Sequence, residues 1–162
     1  MDIYRTVLAT LNNEFSDLTD VEQATRVSLR LVLAALLGGL LGYERETHGK
    51  AAGLRTHMLV STGSALFVLG GVLMGAGEDA MSRVMQGIIA GIGFLGAGTI
   101  LKGSAMDDVK GLTTAAGVWM TAAVGVCIGL GMEATAVLAT LLMLFILNVL
   151  PHLLDKVVSR RS

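Results

Sequence analysis

Long apolar runs separated by short polar stretches form the main pattern of this chain. Five of them are long enough to be helices, and they cover residues 27–43, 56–76, 84–101, 112–130 and 133–150. Each approaches the length that crosses a hydrocarbon core of about 30 Å at about 1.5 Å per helical residue. Because an open sheet edge cannot satisfy its backbone groups in lipid, the pattern predicts an all-α polytopic membrane protein with five transmembrane helices.

Two segments flank these runs. In the segment 1–18, apolar side chains recur at three- and four-residue steps, which predicts an amphipathic helix on the membrane surface, with a partner-binding helix as the alternative. The chain therefore divides into this segment, a transmembrane domain, 19–151, and a short basic tail, 152–162. Thr19 to Glu22 has the pattern of a capping box, so the first long helix is expected to begin there.

Three charged residues accompany the first long helix. Glu22 and Arg26 are four residues apart, which is the spacing of a stabilising pair on a helix surface. Arg30 lies inside the apolar run, and we expect its side chain to snorkel to the outer interface, with pairing inside the bundle as the alternative.

The basic residues are unevenly distributed between the two ends of the predicted helices. Eight of the twelve fall at one end: Arg45, Lys50, Arg55, Lys102, Lys110, Lys156, Arg160 and Arg161. The other four are Arg5, Arg26, Arg30 and Arg83. Because the basic excess usually faces the cytoplasm, the pattern predicts an N-terminus outside and a C-terminus inside, which requires an odd number of spans.

The connection between the first two long helices, residues 42–57, concentrates charge. Its sequence, GYERETHGKAAGLRTH, contains Glu44, Arg45, Glu46, His48, Lys50 and Arg55, and ends at His57. If the helix ends dip below the headgroups, these charges must pair, since an unpaired ion in hydrocarbon costs several kcal/mol. We expect Glu44 to pair with Arg55. The alternative is a set of solvated interfacial charges that fix the topology.

Acidic residues on this side of the membrane are candidate ligands for Mg²⁺, which takes one or two carboxylates together with retained waters. The candidates are Glu44, Glu46, Asp107 and Asp108. Neighbouring basic groups more often neutralise such acids, so neither a metal nor another cofactor is expected. The chain has no HExxH, GxSxG or phosphate-loop motif around its scattered histidines, and we expect no enzyme activity.

Small residues are patterned along the predicted helices. Gly117, Thr121, Gly125 and Gly129 recur every four residues, and Gly87 with Gly91 and Gly38 with Gly42 make the same step. Such stripes let helix backbones approach closely, either within one subunit or between the subunits of a homodimer. Gly93, Gly96 and Gly98 could break the third helix and open a polar path, although close packing is favoured. Trp119 is predicted to be a buried packing anchor whose indole N–H bonds a neighbouring hydroxyl.

A second glycine-rich stretch, residues 93–114, repeats the outline of the first hairpin. Residues 39–42 (GLLG) resemble 93–96 (GFLG), and 53–56 (GLRT) resemble 111–114 (GLTT). These matches predict a parallel repeat of two hairpins, with chance similarity in a glycine-rich chain as the alternative.

Composition supports a membrane protein and excludes other classes. The mean hydropathy is +0.70, with 53% hydrophobic and 15% charged residues, which lies well outside soluble domains. A net charge of −1 and 4% aromatic residues provide no surface for nucleic acid. Cys127 is the only cysteine, which excludes an intramolecular disulfide, and its apolar context predicts a packed side chain rather than a reactive thiol.

Three blocks of the sequence resemble the MgtC/SapB family of bacterial inner-membrane proteins. They are GYERETHGKAAGLRTHMLVSTGSAL (42–66), QGIIAGIGFLGAGTIL (86–101) and VKGLTTAAGVWMTAAVGVCIGLG (109–131), and they keep the order and spacing of the family. In the first block the family's residues fall on Glu44, Arg45, Lys50, Gly53, Arg55, Thr56 and His57. In the other blocks they fall on Gly93, Gly96, Gly98, Gly111, Leu112, Thr113, Thr114 and Trp119.

This resemblance implies an inner-membrane protein, here with a periplasmic N-terminus and a cytoplasmic C-terminus. It implies links to magnesium limitation, acid stress and, in pathogens, survival in host cells. We expect modulation of another inner-membrane protein through the hairpin, with membrane lipids and a second copy as further partners; a small Mg²⁺ or proton transporter is the alternative. Many members carry a further cytoplasmic C-terminal domain, whereas this chain ends about a dozen residues after its last run, as in a short, SapB-like form or a segment of a longer protein.

Overall fold

The computed structural model describes residues 2–14, 16, 18, 20–102 and 109–151. In chain order the elements are α1 (Ile3–Glu14), α2 (Val21–Thr47), α3 (Leu54–Leu73), α4 (Glu78–Ala97), β1 (Leu101–Lys102), β2 (Val109–Lys110), α5 (Leu112–Leu130) and α6 (Glu133–Leu144), which continues as a π-helical segment, Phe145–Val149. Within the described ranges, α2 to α5 are long and apolar enough to cross a membrane, and α6 with its π-helical segment is a shorter apolar helix. The helical membrane class is confirmed, and a fifth span stays a prediction.

The predicted and observed helices agree best where glycines mark the ends. α5 covers residues 112–130 as predicted, between Gly111 and Gly131, whose φ angles are 94° and 84°. α4 instead covers 78–97, displaced toward the N-terminus from the predicted 84–101. Its first turn is acidic, which suits the positive end of the helix dipole. Because these residues are charged, a pattern of apolar runs does not include the start of the helix.

An aspartate caps the start of α2. The side chain of Asp20 accepts hydrogen bonds from the backbone N–H groups of Glu22 and Gln23, both at 3.3 Å, and so satisfies free donors of the first turn. The cap is therefore Asp20 rather than Thr19, which lies outside the described residues. The predicted pair of Glu22 with Arg26 is confirmed.

Arg30 lies inside the bundle at the end opposite the α2–α3 hairpin. Its Nη1 donates to the carbonyl oxygen of Gly129 at 3.0 Å, and its Nε lies 3.4 Å from Oε1 of Glu133. The side chain is only 14% exposed. The alternative, pairing inside the bundle, is confirmed, because the last carbonyls of α5 attract a cation to this position. Snorkelling to the outer interface stays a prediction.

A short antiparallel ladder joins α4 to α5. Leu101 pairs with Lys110 and Lys102 with Val109. A Cβ at Gly111, which follows with φ of 94°, would lie 2.0 Å from the carbonyl oxygen of Thr99, so only glycine fits there. Strands of two residues are too short to show alternation in the sequence, which is why the all-α prediction missed them.

α3 lies at the centre of the bundle, between α2 and α5. A Cβ at Gly38 of α2 would lie 2.6 Å from the carbonyl oxygen of His57, and one at Gly125 of α5 would lie 2.2 Å from that of Ser61. The backbones therefore approach to near contact on both sides. The small-residue stripe of α5 is buried. Of the two alternatives that its spacing left open, packing within one subunit or between two subunits, the stripe follows the first.

α1 is a helix with a free apolar face. It covers residues 3–14 rather than 1–18, and none of its residues is buried. Ile3, Tyr4 and Val7 are 80%, 70% and 51% exposed. Such a face suits a membrane surface, and that placement stays a prediction. The predicted tail, 152–162, lies outside the described residues.

Candidate functional site

A side chain of α2 closes the connection between α2 and α3. Oε2 of Glu46 accepts a hydrogen bond from the backbone N–H of Leu54 at 2.7 Å. The carboxylate satisfies a free donor at the start of α3 and lies at the positive end of its dipole. Gly53 is the N-cap residue, and a Cβ there would lie 2.6 Å from Oε2 of Glu46. Glu46 therefore joins the two helices, a contact that no sequence pattern had indicated.

Glu44 and Arg45, in the last turns of α2, form a buried ion pair. They are 7% and 3% exposed, and Nε and Nη2 of Arg45 each donate to one carboxylate oxygen of Glu44. Oε1 of Glu44 also lies 3.2 Å from Nδ1 of His48. Two parallel charged hydrogen bonds offset the cost of removing both ions from water.

The predicted pair of Glu44 with Arg55 was wrong. Arg55 is exposed on the first turn of α3, and no ion pair in the described part of the chain includes it. Arg45 occupies both oxygens of Glu44 instead. Adjacent residues on a helix do not normally face each other, so the spacing of Glu44 and Arg45 did not indicate a pair. Their side chains are long enough to bend toward each other and form one.

His57 and Ser61 bring polar atoms into the interior beside this pair. Both are 0% exposed and lie one helical turn apart on α3. Nδ1 of His57 is 3.0 Å from the carbonyl oxygen of Gly53. Within the described residues, neither Nε2 of His57 nor Oγ of Ser61 has a hydrogen-bond partner. His57 lies on the first turn of α3, a helix that packs against α2, whose last turns hold Glu44 and Arg45.

The remaining predicted hairpin residues face outward. Lys50, Arg55 and Thr56 are exposed, and we refer to them as the hairpin surface. The predicted site thus separates into a buried group, in which Glu44 and Arg45 lie near His57, and a cationic hairpin surface above it.

The residues predicted in the second glycine-rich stretch also fall into a buried group and an exposed group. Gly96 and Thr114 are buried, whereas Gly93, Gly98 and Thr113 are exposed. Gly96 packs against α5, with the nearest atom 3.6 Å from the position of a Cβ, while no atom lies within 4 Å of that position at Gly93. The stretch is therefore closely packed at Gly96 and lies on the outside of the bundle at Gly93.

Trp119 faces away from the core. It is 49% exposed, so the predicted buried anchor was wrong. Trp119 lies two residues from both Gly117 and Thr121, which are buried. Two residues turn about 200° around a helix, so the spacing of the stripe already indicated that the indole lies on the opposite face.

Apolar side chains follow Ser64 along α3 and lie in the last two turns of α5. Five of them are 0% or 1% exposed: Ala65, Val68, Leu69, Val124 and Ile128. We refer to these five as the apolar layer. Along α3 and α5, it lies between Ser61 and the helix ends at which Arg30 donates to Gly129.

A groove of about 690 Å³ lies between α3 and α4 on the outside of the bundle. Gly63, Gly87 and Gly91 line it, and a Cβ at any of them would meet no atom within 4 Å. Phe67 and Arg83 are among the other residues that line it. The glycine step of α4 therefore faces outward, unlike the stripe of α5.

The acids proposed as metal ligands serve other purposes where they are described. Glu44 pairs with Arg45, and Glu46 caps α3. Asp107 and Asp108 lie outside the described residues. In the ranges that the structure covers, no group of three or more His, Cys, Asp or Glu side chains could hold a metal ion.

Comparison with known proteins gives a consistent set of relatives. The model of the MgtC family matches residues 31–156. The chain is 44% identical over 133 residues to Protein SrpB of Synechococcus elongatus, covering 75% of this chain and 73% of that protein. It is 39% identical over 141 residues to the Putative magnesium transporter YhiD of Escherichia coli K12, covering 82% and 64%.

A third relative is Protein MgtC of Salmonella typhimurium LT2, 45% identical over 116 residues, with 72% of this chain and 48% of that protein covered. The chain thus spans less than two thirds of the length of YhiD and about half of the length of the Salmonella protein MgtC. No solved structure matches the chain.

Proposed function

The chain belongs to the MgtC family, and from this premise we propose that it supports magnesium homeostasis by regulating another membrane protein. The name of the relative YhiD, which refers to magnesium transport, supports the link to magnesium. Magnesium limitation and acid stress are the conditions under which the protein acts, with a contribution to virulence where the host bacterium is a pathogen. The role is not enzymatic.

The apolar layer is the observation that favours regulation over transport. An ion that crosses a bundle needs polar partners along its path, since a charge among apolar side chains costs several kcal/mol. Five side chains that are at most 1% exposed lie along α3 and α5 between Ser61 and the end at which Arg30 bonds Gly129. These five positions offer no polar group to an ion that passes from one end to the other.

The hairpin surface is the proposed contact with the regulated protein. The Glu44–Arg45 pair and the Glu46 cap hold the connection in one conformation, which reduces the ordering cost of binding. Lys50 and Arg55 are exposed, and neither takes part in an ion pair within the described ranges. An acidic segment of another inner-membrane protein would complement this positive charge.

The proposed arrangement in the membrane has five spans, α2 to α6. The helix over Glu133–Val149 would be the fifth, at about 1.5 Å per residue. The excess of basic residues at the hairpin end supports a cytoplasmic location for both hairpins, with the N-terminus and α1 at the periplasmic face of the inner membrane. The α2–α3 and α4–α5 hairpins would be the two units of a parallel repeat.

The groove between α3 and α4 is the proposed interface of a homodimer. Its open glycines, Gly63, Gly87 and Gly91, would let a helix of a second copy approach closely. Membrane lipids would cover the other exposed apolar faces.

A small Mg²⁺ or proton transporter is the second candidate. It is favoured by the name of YhiD and by the polar atoms of His57 and Ser61, which extend inward from the hairpin. This alternative requires the apolar layer to open during transport.

The regulatory proposal can be tested by the growth of a bacterial strain whose own gene for this protein has been deleted. At limiting Mg²⁺, the chain should restore growth, and Arg55→Ala should lose this effect at an unchanged level of membrane-inserted protein. Arg26→Ala is the matched control, because Arg26 is exposed near the start of α2, at the end of the bundle opposite the hairpin. Full rescue by Arg55→Ala would contradict a working role for the hairpin surface.

A further inference from the structure

We propose that the buried face of α3 holds an internal water molecule that bridges Nε2 of His57 and Oγ of Ser61. The two side chains are 0% exposed, and neither atom has a hydrogen-bond partner within the described residues. Buried polar groups are nearly always hydrogen-bonded, and bound water commonly satisfies those that the protein does not. The site does not depend on the proposed regulatory role.

The hydrogen bond made by Nδ1 of His57 determines whether the water must donate to Nε2 or accept from it. Nδ1 of His57 lies 3.0 Å from the carbonyl oxygen of Gly53. A carbonyl oxygen only accepts, so Nδ1 carries the hydrogen of the neutral ring and Nε2 is left with a lone pair. The occupant must therefore donate a hydrogen bond to Nε2. A hydroxyl such as that of Ser61 both donates and accepts, so water satisfies both positions.

A glycine on α5 leaves room for the water. A Cβ at Gly117 would lie 3.7 Å from Nε2 of His57 and 3.3 Å from Cε of Met143. With glycine at this position, no side chain of its own lies between the α5 backbone and the His57 ring. Met143 contributes only the end of a flexible side chain on this side, which can shift to admit a water.

Water suits this site better than an ion. The neighbouring charges of Glu44 and Arg45 neutralise each other in their pair, so the site has no net attraction for a cation or an anion. Hard cations require several oxygen ligands, whereas His57 and Ser61 offer one nitrogen and one hydroxyl. A neutral molecule with two hydrogens and two lone pairs matches both groups.

Water-edited solid-state NMR of the full chain in liposomes tests the proposal. With His48→Gln and His152→Gln, ring-labelled histidine reports on His57 alone, since the chain has three histidines. We expect a neutral ring protonated at Nδ1 and rapid transfer of magnetisation from water to Nε2. The chain that retains His48, which is half exposed, provides the positive control. Transfer to His48 without transfer to His57 would overturn the proposal.

Two glycine variants make the test specific. Gly117→Ala places a methyl group 3.7 Å from Nε2 of His57, which narrows the space beside the ring, so transfer to His57 should be reduced. Gly70→Ala, on α3, adds the same methyl group where no atom lies within 4 Å, and transfer should be retained. Unchanged transfer in a folded Gly117→Ala protein would contradict the location of the water.

Ser61→Ala provides a second measurement that does not use His57. If water bridges the two groups, removal of the hydroxyl takes away one of its partners, and the thermal midpoint of unfolding should fall. If the hydroxyl is dry and unpaired, its removal should leave the midpoint unchanged or raise it. The second result would overturn the bridge.

Discussion

Oε2 of Glu46 accepts a hydrogen bond from the backbone N–H of Leu54 at 2.7 Å, so a side chain of α2 caps the first turn of α3. The hairpin that carries most of the family's charged residues is therefore fixed from within. Its geometry is a consequence of helix capping, and Arg55 lies exposed on the first turn of α3.

Replacement of Glu46 should loosen the hairpin without unfolding the bundle. Glu46→Ala removes an N-terminal cap, which typically costs about 1 kcal/mol. Amide hydrogen exchange at residues 48–56 should accelerate, while exchange in the centre of α5 stays slow. Lys50→Ala is the control, since Lys50 is exposed. Equal exchange in both variants would show that the cap does not hold the connection.

The Glu44–Arg45 pair should show strong coupling. Arg45→Met leaves a buried carboxylate without its partner, and breaking a buried pair typically costs about 3–5 kcal/mol. The double variant Glu44→Gln/Arg45→Met should recover much of this loss in the free energy of unfolding. Arg55→Ala should change the stability little. Additive effects of the two single changes would argue against the pair.

Gly125→Ala should destabilise the fold. Its Cβ would lie 2.2 Å from the carbonyl oxygen of Ser61, and such overpacking costs about 1–3 kcal/mol or more. Gly70→Ala, on α3 where a Cβ would meet no atom within 4 Å, should instead be neutral or gain up to about 1 kcal/mol in helix propensity. Thermal unfolding in detergent compares the two, and a reversed order would contradict the packing of α5 on α3.

The proposed dimer can be tested at the groove between α3 and α4. Gly87→Leu and Gly91→Leu would fill the groove and should shift the protein from dimer to monomer in light scattering of the detergent-solubilised chain. A leucine at Gly93, which also has an open face on α4, is the matched control and should leave the dimer intact. A dimer that survives in all three variants would place the interface elsewhere.

The helices and the packing stripes could be predicted because they depend on patterns along one helix. The run at 112–130 carried its own end signals in Gly111 and Gly131. The spacing of Gly117, Thr121, Gly125 and Gly129 predicted close packing, and the structure shows which helix the stripe meets. Membership of the family followed from motifs in three blocks.

The partners of the charged residues could not be predicted from spacing. Glu44 bonds its neighbour Arg45, and Arg30 reaches Gly129, 99 residues further along the chain. Both contacts depend on how far a long side chain bends and on which helix end lies nearby. Trp119 is different, because its position two residues from the buried stripe already indicated that its side chain faces away from the core.

The central claim is that this protein regulates ion homeostasis and conducts no ions itself, and flux into proteoliposomes tests it most directly. Vesicles that contain only this protein, folded and inserted, should take up Mg²⁺ and protons no faster than empty vesicles, and Arg55→Ala should behave in the same way. Uptake above that of empty vesicles, abolished by Arg55→Ala, would contradict the account. It would mean that the apolar layer opens and that the protein is a transporter.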